Sequence, residues 1–179
     1  MAKASGDVWL MQAQSDLDCA ARAFDQDNGS TYCHALAKYQ QVVEKSVKGV
    51  VAALHDAGTL SRGPSYTHGL VDEINLLKRL PYNPKKSSGK DLVSRIKRFL
   101  DTEIRNELKA IGDLAPRKPA SGELEPRNTE YPYQRPDGTW IAPADPNAFR
   151  QEEVEDFRRT AGRTLDWAKK IVFLAKLVR

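Results

Sequence analysis

The residues best suited to chemistry gather in one proline-rich stretch. Between residues 113 and 147, Arg117, Lys118, Arg127 and Arg135 alternate with Tyr131, Tyr133 and Trp140. Guanidinium groups hold phosphate oxygens through forked hydrogen bonds, and aromatic faces stack bases. The stretch can therefore grip a nucleotide or RNA. The competing reading is that Tyr131-Pro132-Tyr133 pins the segment onto the rest of the fold. A second cationic set is Arg95, Arg98 and Arg105, which follow steps of three and seven on one helical side. A third comes from Lys45 and Lys48. Glu44 and Lys48 stand four apart and form a surface pair; alternatively Lys45 and Lys48 face a phosphate.

Other chemistries find little support. His34 and His55 open and close one helical stretch, about 31 Å apart at helical rise, so they cannot share a metal within it. No His, Asp and Glu cluster has metal-ligand spacing, so neither a metal nor a cofactor is expected. Ser87-Ser88-Gly89-Lys90 resembles part of a phosphate loop but lacks its upstream glycine and preceding strand. There is no Gly-x-Ser-x-Gly nucleophile elbow. Cys19 and Cys33 read as small buried thiols.

The elements that must position these groups are helices. Trp9, Ala13, Leu17, Ala20 and Phe24 return at steps of three and four, predicting a helix over 6–26 that Asp7 can cap. The next helix, 31–57, has a stripe of Leu36, Tyr39, Val43, Val47, Val50 and Leu54, flanked by Ala35, Val42, Ser46 and Val51. That breadth is enough to touch two neighbours. Gly58 ends it. A loop at 61–67 leads to a helix over 68–80, stopped by Pro81 and Pro84. After a basic turn at 85–90 comes a helix over 91–112, with Leu92, Ile96, Phe99, Leu100, Ile104, Leu108 and Ile111 inward. The stretch 113–147 holds seven of the ten prolines and has no helical period. Its length marks it as an ordered, functional loop. The last helix, 148–178, buries Phe149, Val154, Phe157, Ala161, Leu165, Ala168, Val172 and Ala175. The sum is an all-α antiparallel bundle of about five helices with a long loop before the last, in one domain.

Composition sets the outer limits. The chain has 179 residues, 29% charged, and a net charge of +4. Residues 61–118 carry 13 Lys and Arg against 7 Asp and Glu, whereas 1–60 carry 5 against 7 and 119–179 carry 10 against 10. The basic excess thus lies in the middle third, where it can attract phosphates or form a solvated face. No apolar run approaches the length of about 18 residues that a membrane helix needs. Met1-Ala-Lys-Ala-Ser-Gly-Asp7 has no apolar leader core, so the cytoplasm is the expected compartment.

Several segments resemble the HEPN domain family. Trp9-Leu10 followed by Ser15-Asp16-Leu17-Asp18-Cys19-Ala20-Ala21 is similar to its first helix. Cys33-His34-Ala35-Leu36-Ala37-Lys38-Tyr39-Gln40-Gln41-Val42-Val43-Glu44-Lys45-Ser46-Val47-Lys48-Gly49 resembles its most recognisable segment. His68-x-Leu70, Glu130-Tyr131-Pro132-Tyr133 and Leu165-Asp166-Trp167-Ala168-Lys169-Lys170 fit as well. The resemblance implies a helical bundle, commonly a homodimer, that binds nucleotide or RNA. Some members are ribonucleases of toxin–antitoxin or defence systems, and some pair with a small nucleotidyltransferase. The family's ribonuclease motif is Arg-x(4–6)-His near a late helix, where a cation steadies the phosphate and an imidazole moves a proton. Here no histidine follows His68. Arg127 stands where the arginine belongs, but Asn128-Thr129-Glu130-Tyr131 follows, with Glu130 replacing the usual basic residue. The spacing recurs only in Arg62-Gly-Pro-Ser-Tyr-Thr-His68, ahead of the third helix, where His68 otherwise caps or packs the helix start. The expectation is a nucleotide- or RNA-binding accessory protein without the usual ribonuclease site. The alternatives are an RNA endonuclease using Arg62 and His68, and a dimerisation or partner-binding module.

Overall fold

Helical periodicity decides the architecture, and the computed structural model is an all-α bundle. It describes residues 4–25, 29–65, 70–80, 87–114 and 127–178; at 87–90, 103, 105 and 109 the backbone alone is described. Its helices are α1 (Gly6–Phe24), α2 (Tyr32–Asp56), α3 (Leu70–Lys78), α4 (Ser87–Arg98), α5 (Arg105–Asp113) and α6 (Gln151–Leu177). A π-helical turn, Phe99–Glu103, separates α4 from α5. Two short strands, β1 (Tyr133–Gln134) and β2 (Trp140–Ile141), pair antiparallel, with Tyr133 opposite Ile141 and Gln134 opposite Trp140.

The valine-rich α2 is the centre. Its stripe from Leu36 to Leu54 is fully buried, and it packs most extensively against α1 on one side and α6 on another. That is the two-neighbour surface its breadth predicts. Propensity alone would not favour so many β-branched residues in a helix; burial of their apolar surface outweighs the small cost per residue. Gly58 closes α2 as expected. Its φ of +68° lets the Thr59 amide donate to Leu54 O at 2.8 Å and the Gly58 amide to His55 O at 3.0 Å, the two bonds of a Schellman ending.

Two glycines let α1 approach α2 closely. A Cβ on Gly6 would lie 2.8 Å from Gly49 O, and one on Gly49 would lie 3.1 Å from Leu10 Cδ2. Asp7 does not cap α1: Ser5 precedes the helix, and Asp7, inside the first turn, accepts from Lys176 Nζ at 2.7 Å.

The expected helix over 91–112 is two helices. The Ile104 amide reaches back five residues to Phe99 O at 3.2 Å, and Ile104 itself leaves helical geometry at φ −141°. The Thr102 hydroxyl donates to Arg98 O, competing with the backbone amides for that carbonyl. All the inward apolar residues predicted here, from Leu92 to Ile111, are nevertheless buried. The π turn changes the course of the chain without changing its apolar face.

The final helix begins at Gln151, three residues later than expected, because Arg150 is extended at φ −93° and ψ 146°. Ala148 and Phe149 are still buried, but from the loop. Residues 115–126 of the expected loop lie outside the described residues; the stretch 127–150 contains the β1–β2 pair, which the sequence pattern did not show.

Candidate functional site

The structure first sorts the expected cations by what already holds them. Lys45 Nζ contacts the Asp16 carboxylate, which also receives Lys38 Nζ at 3.1 Å. Asp16 is almost entirely buried, so the two ammonium groups compensate a carboxylate taken out of water. Lys48 is only 3% exposed; it lies 2.6 Å from Glu44 and 5.4 Å from the centre of the Trp9 ring. The expected surface pair is therefore a core ion pair, and Lys48 has no route to a phosphate in solvent.

Arg62 donates to Gly63 O at 3.3 Å and lies 3.5 Å from Glu73 Oε2. Glu73 is fully buried and also accepts from the Ser65 amide at 2.6 Å, which ties the 62–65 loop to α3. His68 lies outside the described residues, as do Arg117 and Lys118.

Arg127 forms a clamp. Its two terminal nitrogens donate to Glu153 Oε1 and Oε2 at 2.8 and 2.7 Å, one of them also to Ala148 O at 2.8 Å. The guanidinium lies 4.5 Å from the centre of the Phe149 ring. Burial opposes its charge, but Glu153 and the Tyr133 side chain outweigh burial and hold it above its ordinary pKa. This forked pair fastens the loop to the first turn of α6. Tyr133, at 4% exposure, has no ring face left for a base. The second reading of Tyr131-Pro132-Tyr133 thus describes Tyr133. Tyr131 and Trp140 differ, being exposed on the loop and on β2, with Arg135 exposed beside the hairpin turn. Asn128 Oδ1 accepts from the Glu130 and Tyr131 amides at 2.9 and 2.7 Å and fixes the entry to this segment.

Arg95 and Arg98 have a different setting. They line an open groove of about 620 Å³ between α4 and α6, together with Arg163 and Lys170. The groove is built by two periodicities meeting. Asp91, Arg95 and Arg98 share one side of α4 at steps of four and three, with Phe99 following at the start of the π turn; Arg163, Asp166, Trp167, Lys170 and Leu174 do the same on α6. Phe99 and Trp167 stack with ring centres 4.5 Å apart and planes 8° apart, locking α6 to the start of the π turn. Among the described lining residues, four cations stand against two carboxylates, Asp91 and Asp166. Asp91 accepts from Arg95 Nε at 2.8 Å, an exposed pair that a stronger anion can compete with. The described lining residues therefore carry an excess of two positive charges.

Arg163 and Lys170 escaped the sequence reading because the last third of the chain is neutral overall. The seven-residue step from Arg163 to Lys170 was the available signal. Recognising it required knowing which face of α6 meets α4.

Among the described residues, no group of three or more His, Cys, Asp and Glu side chains is placed to hold a metal ion. No described helix is long and apolar enough to cross a membrane. Comparison of the chain with protein-family models, with curated proteins and with solved structures finds no match.

Proposed function

We propose that this chain is a HEPN-like nucleotide- or RNA-binding accessory protein of a toxin–antitoxin or defence system, without the usual Arg-x(4–6)-His ribonuclease site. The observation that carries the binding part is the groove between α4 and α6, where Arg95, Arg98, Arg163 and Lys170 surround one open volume. Phosphate contacts supply sequence-independent affinity, and arginine forks suit them. The proposal adds Arg163 and Lys170, which line the same groove as Arg95 and Arg98, and gives Arg127 the role of a clamp on Glu153 and Ala148. Absence of the usual ribonuclease site rests on the sequence: no histidine follows residue 68. Homodimerisation, a small nucleotidyltransferase partner and a cytoplasmic setting belong to the same proposal.

The test is titration with a short RNA and with ATP at low salt. Arg98→Ala/Arg163→Ala should weaken whichever ligand binds, and Arg127→Ala/Arg135→Ala should leave affinity near the wild-type value. If neither ligand binds, the partner-module reading replaces this one. RNA cleavage by the wild type that disappears in both Arg62→Ala and His68→Ala would instead establish the endonuclease reading.

A further inference from the structure

The groove's cations and its aromatic rings do different work. Phe99 and Trp167 are 5% and 8% exposed, and each ring covers the other. A base needs an open ring face to stack on, and these rings have none to give. The exposed rings of Tyr131 and Trp140 do not line the groove. What remains for a ligand is charge. Arg163 and Lys170 stand seven residues apart on α6, a span of about 10 Å. Cations on two helices, with two of them spread along α6, offer contacts to several linked phosphates at once.

We infer that the groove recognises a chain of phosphates and does not read the nucleobase attached to it. The inference rests on the proposed binding role of this groove and narrows it. The shared chemistry is a run of phosphoryl groups, whether inorganic, at the end of a nucleotide, or along a nucleic-acid backbone. Arg95 and Arg98 face the chain from α4, and Arg163 and Lys170 from α6. Asp166 lies between the two α6 cations along the same helix face. It opposes an anion there and limits affinity.

Calorimetric titration of the full chain with tripolyphosphate, ATP, adenosine and a short RNA tests this, with thermal unfolding measured for every variant. Tripolyphosphate and ATP should bind within about threefold of each other, and adenosine should not bind, because the phosphates supply the affinity. Arg98→Ala/Arg163→Ala should weaken tripolyphosphate about tenfold or more, as expected for lost charge-assisted contacts. Asp166→Asn should tighten it, an effect that a folding defect cannot mimic. RNA binding as sensitive to the double variant as tripolyphosphate identifies the backbone as a source of the chain; RNA indifferent to it confines the groove to free or terminal phosphates. ATP binding more than about tenfold tighter than tripolyphosphate, well beyond what its phosphates can add, overturns the inference but leaves the groove as a nucleotide site. Tripolyphosphate binding unchanged by both Arg98→Ala/Arg163→Ala and Asp166→Asn overturns it as well. Failure of all the phosphate ligands to bind removes the inference and the binding role together.

Discussion

At the scale of single residues, similar side chains do different work according to what already holds them. Arg127 is committed to a carboxylate, a carbonyl and a ring, whereas Arg163 lines the groove between α4 and α6. Arg127→Ala should lower stability by about 1–2 kcal/mol, allowing for its partial exposure. The same variant should bind phosphate ligands as the wild type does; thermal unfolding and titration of one preparation check both halves. The cysteines separate in the same way. Cys33 is buried in α2, and burial raises its thiol pKa above its ordinary value, with weaker backbone hydrogen bonds opposing. The unfolded chain therefore loses this proton at a lower pH than the folded one. Stability is insensitive to Cys33 well below its ordinary value of 9.0 and falls as pH rises past it. Cys33→Ala should remove that part of the alkaline decline in denaturant midpoint. Cys19, only partly buried, should react with a thiol reagent in the native protein well before Cys33 does.

Elements were the most legible scale, since burial enforces periodicity. The stripe of α2, its ending at Gly58 and the apolar face over 92–111 all follow from steps of three and four. The π turn was not legible: Phe99, Leu100 and Ile104 read equally well as inward residues of an unbroken helix, and only the Thr102 hydroxyl hinted at competition for Arg98 O. The β1–β2 pair is two residues per strand, too short for alternation to show. Half of the candidate groove, Arg95 and Arg98, could be named from spacing, whereas Arg163 and Lys170 depended on how α6 is rotated against α4. Pairing also hid from the sequence, since nothing in the i,i+4 spacing of Glu44 and Lys48 says that α1 will cover them. The approach of α1 to α2 makes its own demand. Gly6→Ala places a methyl 2.8 Å from the Gly49 carbonyl oxygen, which is backbone and cannot swing away. Overpacking costs typically 1–3 kcal/mol, and the helix-propensity gain of roughly 1 kcal/mol from removing glycine is smaller at a helix's first residue. Gly6→Ala should therefore destabilise the protein, read as a lower midpoint in urea.

The whole molecule combines a nearly neutral charge over most of its length with a basic middle third, and the fold sets part of that third against cations of α6. The central claim is that this groove binds phosphates by charge. Its most direct test is the salt dependence of RNA binding by the wild type and by Arg98→Ala/Arg163→Ala. Each phosphate contact on a single strand contributes about −0.7 to the slope of log affinity against log salt. The wild type should show a slope between about −2 and −3, and loss of two arginines should bring it about 1.4 closer to zero. Equal slopes for the two proteins, or binding indifferent to salt, would contradict the account.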